Sequence, residues 1–304
     1  MDVGLCMVVK NEQNRIVGSI ADIIDLFSDV VIIDTGSTDE TRGVLEKEFG
    51  IVPHLLPVDE KEGPYQVRNL GHELLKTPWI LNLDGDETVE RGDILALQGL
   101  SPPAHVAGYF CAWNTYKNGV TIRDYKLSLF QRGCKYTKGR HANIQYGLRQ
   151  ENKKALWLDG CTILHYPEAE KYAWKGELYK QCMIEGIQEN ADWFRHHWFL
   201  GYTFFCEDNF REAQHFLLRA ARSHSMDFPV ECLNSKMVLA DIYAKQKMRG
   251  ELEDILLGAE RFYELVADDF EVKVNFRMKQ WIDEALHYCR ADLLDKITVY
   301  PFSY

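Results

Sequence analysis

A chain of 304 residues, 46% of them apolar, can bury a large core in one large domain or two moderate ones. Its 35 basic and 46 acidic side chains leave a formal charge of −11, which argues against nucleic acid or an anionic membrane surface as partner, because phosphate attraction needs a basic face. No run approaches the ~20 apolar residues that cross a bilayer, and Met1-Asp2-Val3-Gly4 opens no basic-then-apolar leader, so the expectation is a cytoplasmic protein with no integral membrane segment.

In chain order, Gly4–Val9 is an apolar strand, and Ile16, Ile20, Ile23, Ile24 and Phe27 then recur at helical spacing. Val30–Ile33 is a second strand ending in Asp34. Ser37 and Glu40 read as a capping box before a helix over Thr41–Phe49, with Gly50 as its stop and Ile51–Leu56 as a third strand. A helix over Tyr65–Lys76 is broken by Pro78, and Trp79–Leu83 is a fourth strand running into Asp84 and Asp86. A short helix carries Ile94, Leu95 and Leu97. Such alternation predicts an α/β fold with a mostly parallel sheet. Tyr109–Tyr116 and Val120–Asp124 flank an Asn118-Gly119 turn, so further strands are expected to join the sheet as a hairpin. The eight cysteines are scattered without a CxxC pair and read as reduced thiols.

From Lys171 the pattern becomes helical. Leu200, Gly201, Phe204, Ala213, Leu217 and Ala220 keep the mutual spacing of Leu239, Ala240, Tyr243, Leu252, Leu256 and Ala259. Small residues where helices approach and large ones between them resemble the tetratricopeptide pattern, although the offset exceeds its repeat of about 34 residues and implies a long turn around Met226–Val230. An ordinary helical bundle is the alternative. Trp281, Ala285 and Leu286 predict one further helix, and Trp193, Phe194, Trp198, Phe199, Tyr202 and Phe205 are expected to be mostly core.

The chemistry concentrates at strand ends, where open α/β sheets bind ligands. Asp84-Gly85-Asp86 places two carboxylates one residue apart after a buried strand, an arrangement suited to a hard divalent cation between protein and diphosphate. Asp34 either caps the following turn or accepts the imide N–H of a uracil, with Gly36-Ser37 letting backbone approach a nucleotide. Arg68 either reaches the diphosphate or pairs with Glu73 or Glu62.

Five segments in order, Cys6–Glu12 (CMVVKNE), Val31–Thr41 (VIIDTGSTDET), Arg68-Asn69, Trp79–Glu87 (WILNLDGDE) and Leu129–His141 (LFQRGCKYTKGRH), resemble the family 2 glycosyltransferases of the GT-A fold, in the branch with tetratricopeptide-like helices behind the transferase domain. The resemblance implies a GT-A domain over residues 1–168 and an all-α tetratricopeptide-like domain over 169–304. It implies a nucleotide-diphosphosugar donor, by family habit a UDP-sugar, held by Val9, Asn11, Glu12, Asp34, Gly36, Ser37, Arg68, Asp84 and Gly85. Mn²⁺ or Mg²⁺ would sit on Asp86 and Asp84, with His165 completing the site, and transfer would invert the anomeric centre. The acceptor would be a glycan, a lipid or a protein or peptide, and the helical half would orient it or form a homodimer.

One departure stands out. Members of that branch usually carry His-Glu where this chain has His141-Ala142, so the expected general-base carboxylate is missing; His141 is a candidate base or metal ligand, and Asp124, Glu151 and Asp159 are candidate substitutes for the base. The same departure motivates the alternative of a catalytically impaired nucleotide-sugar-binding or protein-binding scaffold, which Ala142→Glu would separate from an active enzyme. A nucleotidyltransferase is disfavoured, because Val9–Asn14 is not a glycine-rich phosphate loop.

Overall fold

The computed structural model describes residues 1–58, 65–117, 119–136, 144, 148, 152–167, 169–226, 228–267, 273–300 and 302. The chain divides into two compact units, Met1–Ala169 and Glu170–Phe302.

The first unit is built on β1 (Val3–Val9), whose residues are apolar almost throughout and buried on both faces, the pattern of a central parallel strand. It pairs in parallel with β2 (Val30–Asp34) and with β4 (Trp79–Asp84). Helices α1 (Ile16–Ile20), α2 (Thr41–Phe49) and α3 (Tyr65–Leu74) provide the connections. The third strand is shorter than predicted: only His54–Leu55, here β3, pairs with β2, and both residues are exposed. Pro53 and Pro57 flank it and lack an N–H, which confines pairing to a stub at the sheet edge.

The predicted capping box is also replaced. Helix α2 starts at Thr41, whose N–H is accepted by Asp39 Oδ1 at 3.0 Å, while Ser37 Oγ accepts the N–H of Asn11 at 2.9 Å. Ser37 therefore ties two strand-end loops together instead of capping the helix. Gly50 ends α2 at φ +66°, as its predicted role requires.

Beyond β4 come β5 (Glu87–Val89), α4 (Arg91–Gln98), the hairpin β6 (Val106–Lys117) and β7 (Val120–Gln131), and β8 (Lys154–His165). The sheet order is β3-β2-β1-β4-β7-β6-β8-β5, mixed in direction, with β7 antiparallel to β4 and β6, β8 parallel to β6, and β5 antiparallel to β8. This order forces a curl. A flat sheet would set β4 and β5 four strand spacings apart, roughly 19 Å, yet only Gly85 and Asp86 separate them in sequence, and the step from residue 84 to 87 spans at most about 11 Å. The β7-β6-β8-β5 portion therefore bends back until β5 meets the carboxyl end of β4, and side chains from β5, β6, β7 and β8 converge on the Asp84–Asp86 turn.

Helix α3 packs on β1 and β2 through Gly71. A Cβ there would lie 2.6 Å from Cys6 Sγ and 3.0 Å from Ile33 Cδ1, and burial in this layer pushes the Cys6 thiol up to about 12. The neighbouring His72 is buried, with Nε2 3.2 Å from Asn82 Oδ1, and burial lowers its pKa to about 4. Folded His72 thus stays neutral where the unfolded chain takes a proton. Stability present above pH 6.5 is lost as the pH falls from 6.5 toward 4, by up to about 3 kcal/mol from this group. In urea titrations at pH 7 and pH 4.5, His72→Gln should lose less stability on acidification than the parent. An equal loss in both would exclude His72 as the source.

The second unit is helical: α5 (Ala169–Glu189), α6 (Phe194–Cys206), α7 (Phe210–Ala221), α8 (Pro229–Lys245), α9 (Arg249–Val266) and α10 (Lys273–Arg290). Helix α6 packs on α7, α7 on α8, α8 on α9 and α9 on α10, and α6 also touches α8. The internal similarity has a structural counterpart. Leu200, Leu217 and Ala220 are fully buried, as are Leu239, Leu256 and Ala259, and a Cβ on Gly201 would lie 2.7 Å from Leu217 Cγ of α7. The turns match as well: Asp208 and Lys247, one after α6 and the other after α8, both adopt the left-handed conformation, at φ +57° and +58°. Between α7 and α8 the connection runs from Arg222 to Phe228, and Pro229 opens α8 at a position where no N–H is needed. Trp198, Phe194 and Phe199 are core.

Candidate active site

The carboxyl ends of β1, β2 and β4 lie side by side, with Val9 opposite Asp34 and Val8 opposite Asp84. Val9 closes β1 by accepting the Thr35 N–H at 3.0 Å. Asn11 follows at φ 56°, and its Oδ1 accepts the Thr38 N–H at 2.8 Å, locking the β1 loop to the β2 loop. Asp34 is fully buried. Its Oδ1 accepts the N–H groups of Gly36 at 2.7 Å and Ser37 at 2.6 Å, holding the turn that Gly36 makes at φ +107°. Its Oδ2 has no hydrogen-bond partner among the described residues. The capping alternative is thus realised through one oxygen, and the second is left over.

Glu12 is buried against the Asp84–Asp86 turn: a Cβ on Gly85 would lie 2.6 Å from Glu12 Cγ, so only glycine fits there without moving the carboxylate. Glu12 pairs with Arg15, whose Nη1 donates to Tyr166 O at 2.9 Å, and Tyr166 N–H donates to Asp86 O at 3.0 Å. Ser19 Oγ donates to Gly85 O at 3.0 Å. The acidic turn is fixed by its surroundings on both sides.

Asp84 and Asp86 have different environments. Both oxygens of Asp84 are engaged, Oδ1 by Arg68 Nη2 at 2.5 Å and Oδ2 by Lys126 Nζ at 2.9 Å. Burial opposes its charge, but the two cations outweigh it and hold its pKa well below the usual carboxylate range. Arg68 therefore pairs with Asp84, and Lys135 pairs with Glu73, while Glu62 lies outside the described residues; the Arg68 guanidinium lies over the Tyr136 ring, 5.4 Å from the centroid. Lys126 also donates to Glu87 Oε1 at 2.7 Å and Oε2 at 2.8 Å, and is held charged by the two acids. Glu87 is buried on β5, where it also accepts the Trp113 indole N–H at 2.8 Å and the Asp84 N–H at 2.8 Å. Burial raises its pKa in spite of Lys126.

Asp86 faces His165 instead, Oδ2 to Nε2 at 3.5 Å. Burial opposes its charge and His165 more than offsets this, so its pKa is lowered. His165 shares a hydrogen bond between Nδ1 and Thr115 Oγ1 at 3.0 Å and stacks on Trp113 with ring centroids 4.9 Å apart. An imidazole fixed at one nitrogen by a buried hydroxyl presents the other in a set direction, the usual arrangement behind a metal-ligating histidine.

Asp124 lies on β7 directly opposite Trp113, two residues from Lys126, so its side chain shares their face; its Oδ1 accepts its own neighbour's N–H, from Tyr125, at 2.8 Å. Asp159 is exposed in the stretch where β8 loses register with β6. His141, Ala142 and Glu151 lie outside the described residues. No group of three or more His, Cys, Asp or Glu placed to hold a metal ion occurs among the described residues, and no helix among them is long and apolar enough to cross a membrane.

The strand-end acids and the Asn11 and Ser37 loops sit within residues 5–155, which match the family model Glycosyl transferase family 2. The chain carries a glycosyltransferase family 2 domain. The α/β unit with its curled mixed sheet is the GT-A domain of this family, followed by a helical region. A curated relative, an uncharacterized glycosyltransferase of Rickettsia conorii, is 28% identical over 88 residues, which is 28% of this chain and 29% of the relative's length. Among solved structures, S. aureus TarS 1-349 in complex with UDP-GlcNAc aligns over 97% of this chain and 89% of its own, at 14% identity and a TM-score of 0.48. GalNAc-T7 with UDP, GalNAc and Mn²⁺ aligns over 55% of this chain and 44% of its own, at 12% identity and a TM-score of 0.41.

Sequence reasoning passed over Glu87, Trp113, Thr115, Lys126 and Tyr136. Glu87 and Tyr136 lay within recognised segments, as the last residue of WILNLDGDE and within LFQRGCKYTKGRH, and the other three carried no local signal.

Proposed function

We propose that this family 2 domain transfers a sugar from a nucleotide-diphosphosugar, of the UDP-sugar class, to a glycan, lipid or protein or peptide acceptor, inverting the anomeric centre. The observation that carries the reading is the division of labour at the turn after β4. Asp84 is saturated by Arg68 and Lys126, while Asp86 and His165 face one another beside that cationic pair. A diphosphate needs such a setting, with cations on one side and metal ligands on the other.

The residues present fit a divalent metal. Asp86 and His165 offer one carboxylate and one oriented imidazole, and Mg²⁺ held through one or two protein groups takes its remaining ligands from substrate phosphate and water. Mn²⁺ accepts the same oxygen ligands. Once bound, the ion neutralises charge that develops on the departing nucleoside diphosphate. Arg68 and Lys126 contribute to the same end from the protein side. Asp34 Oδ2, lacking a partner, is the acceptor for the imide N–H of uracil, with the Gly36-Ser37 turn closing on the nucleoside. Asp124, on the Trp113 face, and His141 are the groups assigned to take the acceptor proton.

The test is release of UDP from a panel of UDP-sugars with Mn²⁺, water taking the sugar in place of the acceptor, by the parent and by Asp124→Asn and His141→Ala. The parent should release UDP from at least one donor, and the variant lacking the base should lose about 10²–10⁴-fold in rate. A folded parent that releases UDP from none of them contradicts the reading. The scaffold alternative, motivated by Ala142, would then gain weight.

A further inference from the structure

Within the helical unit, the chain leaves helical geometry after a short 3-10 turn at Leu294–Lys296, is extended at Ile297, and then meets α10, α8 and α6 through Thr298, Val299 and Phe302 in that order. Its main chain is held at three points. Trp281 Nε1 of α10 donates to Thr298 O at 2.8 Å, the Val299 N–H donates to Asp241 Oδ2 of α8 at 2.8 Å, and the Phe302 N–H donates to Tyr202 Oη of α6 at 3.2 Å. Two side chains are held as well. The Arg277 guanidinium lies 3.5 Å from the Tyr300 ring centroid, with the Tyr300 hydroxyl 4.0 Å from Met237 Sδ. Phe302 is buried edge-on against Trp198 and Tyr202, at 5.7 and 5.3 Å.

The holding residues are not scattered. They are Trp198 and Tyr202 on α6, Met237 and Asp241 on α8, and Arg277 and Trp281 on α10, in each case two residues four apart and so on one helix face. From α6 to α8 the pair is offset by 39 positions, which is the offset of the internal similarity from Leu200 to Leu239, and from α8 to α10 by 40. Equivalent positions of successive helix pairs therefore line one continuous face, and the non-helical residues Thr298–Tyr300 and Phe302 lie on it.

We infer that this face is a peptide-binding groove, occupied in cis by Thr298–Tyr300 and Phe302, and that it accepts in trans an extended peptide with two aromatic residues one residue apart. The chemistry is that of peptide capture. Main-chain N–H and C=O groups go to Asp241, Tyr202 and Trp281, which recognises any extended backbone, and the Tyr300 and Phe302 positions add selectivity through a cation over one ring and an aromatic pocket for the other. Asp241 Oδ1 is paired with Lys245 Nζ at 2.7 Å, which orients the carboxylate so that Oδ2 meets the Val299 N–H.

The experiment uses the full chain and a synthetic peptide of the sequence Lys296–Tyr304 (KITVYPFSY), fluorescein-labelled at its amino terminus. The double variant Tyr300→Ala/Phe302→Ala, which frees the groove without altering its walls, should bind the peptide at least tenfold more tightly than the parent by fluorescence anisotropy. Equal affinity in the two, or saturable binding in neither, would overturn the inference. Hydrogen exchange on the unaltered chain serves if the double variant does not fold. Excess peptide made from heavy-isotope amino acids should speed exchange at the chain's own Val299 and Phe302 amides severalfold, and unchanged exchange there would equally overturn it.

Discussion

Lys126→Met is expected to destabilise the α/β unit by about 3–5 kcal/mol, the usual cost of leaving a buried charge without its partner. The ammonium lies 2.9 Å from Asp84 Oδ2 and 2.7 Å from Glu87 Oε1, with the Glu87 side chain fully buried. Methionine fills the volume of the lysine stem but leaves two carboxylates facing each other. Glu87, whose pKa burial already raises, would take up a proton, and Asp84 would keep Arg68 alone. Adding Glu87→Gln to Lys126→Met should therefore recover part of the loss, a coupling that a double-mutant cycle by urea denaturation reads directly. A change below about 1 kcal/mol for Lys126→Met would show that the ammonium is not what holds these acids together.

Asp86→Asn should behave in the opposite way, with turnover falling about 10²–10³-fold and the urea midpoint nearly unmoved. Asp86 contacts His165 at 3.5 Å with a side chain 21% exposed, and its backbone carbonyl, which orders Tyr166, survives the substitution. Asparagine keeps the shape but loses the charge that a divalent ion requires. If the rate stays within threefold of the parent, Asp86 is not part of the reacting site. If stability falls as far as for Lys126→Met, its role is architectural. The pair of variants separates the two carboxylates that the sequence shows as one motif.

That separation marks where sequence reading ran out. Asp34, Asp84 and Asp86 were legible because they end, or directly follow, strands that are apolar apart from Asn82, and a buried parallel strand shows mostly apolar residues until it surfaces. Helices α2 and α3 and the β6–β7 hairpin followed from periodicity and from a turn signal. Lys126 was not legible: in VTIRDYKLSLFQ it looks like a solvated strand lysine. It becomes a partner of Asp84 only because the sheet curls through β7-β6-β8-β5, a consequence of strand order that no local pattern carries. Trp113 and Thr115 are hidden for the same reason, since they touch His165 only across the β6–β8 pairing. Ser37 misled because its capping pattern is real, but Asn11 claims its hydroxyl. Thr298–Phe302 has no periodicity at all, and the Phe302 N–H is met by Tyr202, 100 positions earlier.

The proposed nucleotide-diphosphosugar site lies at the ends of β1, β2 and β4. Calorimetric titration of the full chain with UDP-, GDP- and dTDP-sugars, with and without Mn²⁺, tests it most directly, with Asp34→Ala and Asp86→Asn run alongside. Saturable binding of a UDP-sugar is expected, weakening at least tenfold without Mn²⁺ and in each variant. Binding of no donor by the folded parent, or binding indifferent to the metal and to both aspartates, would contradict it.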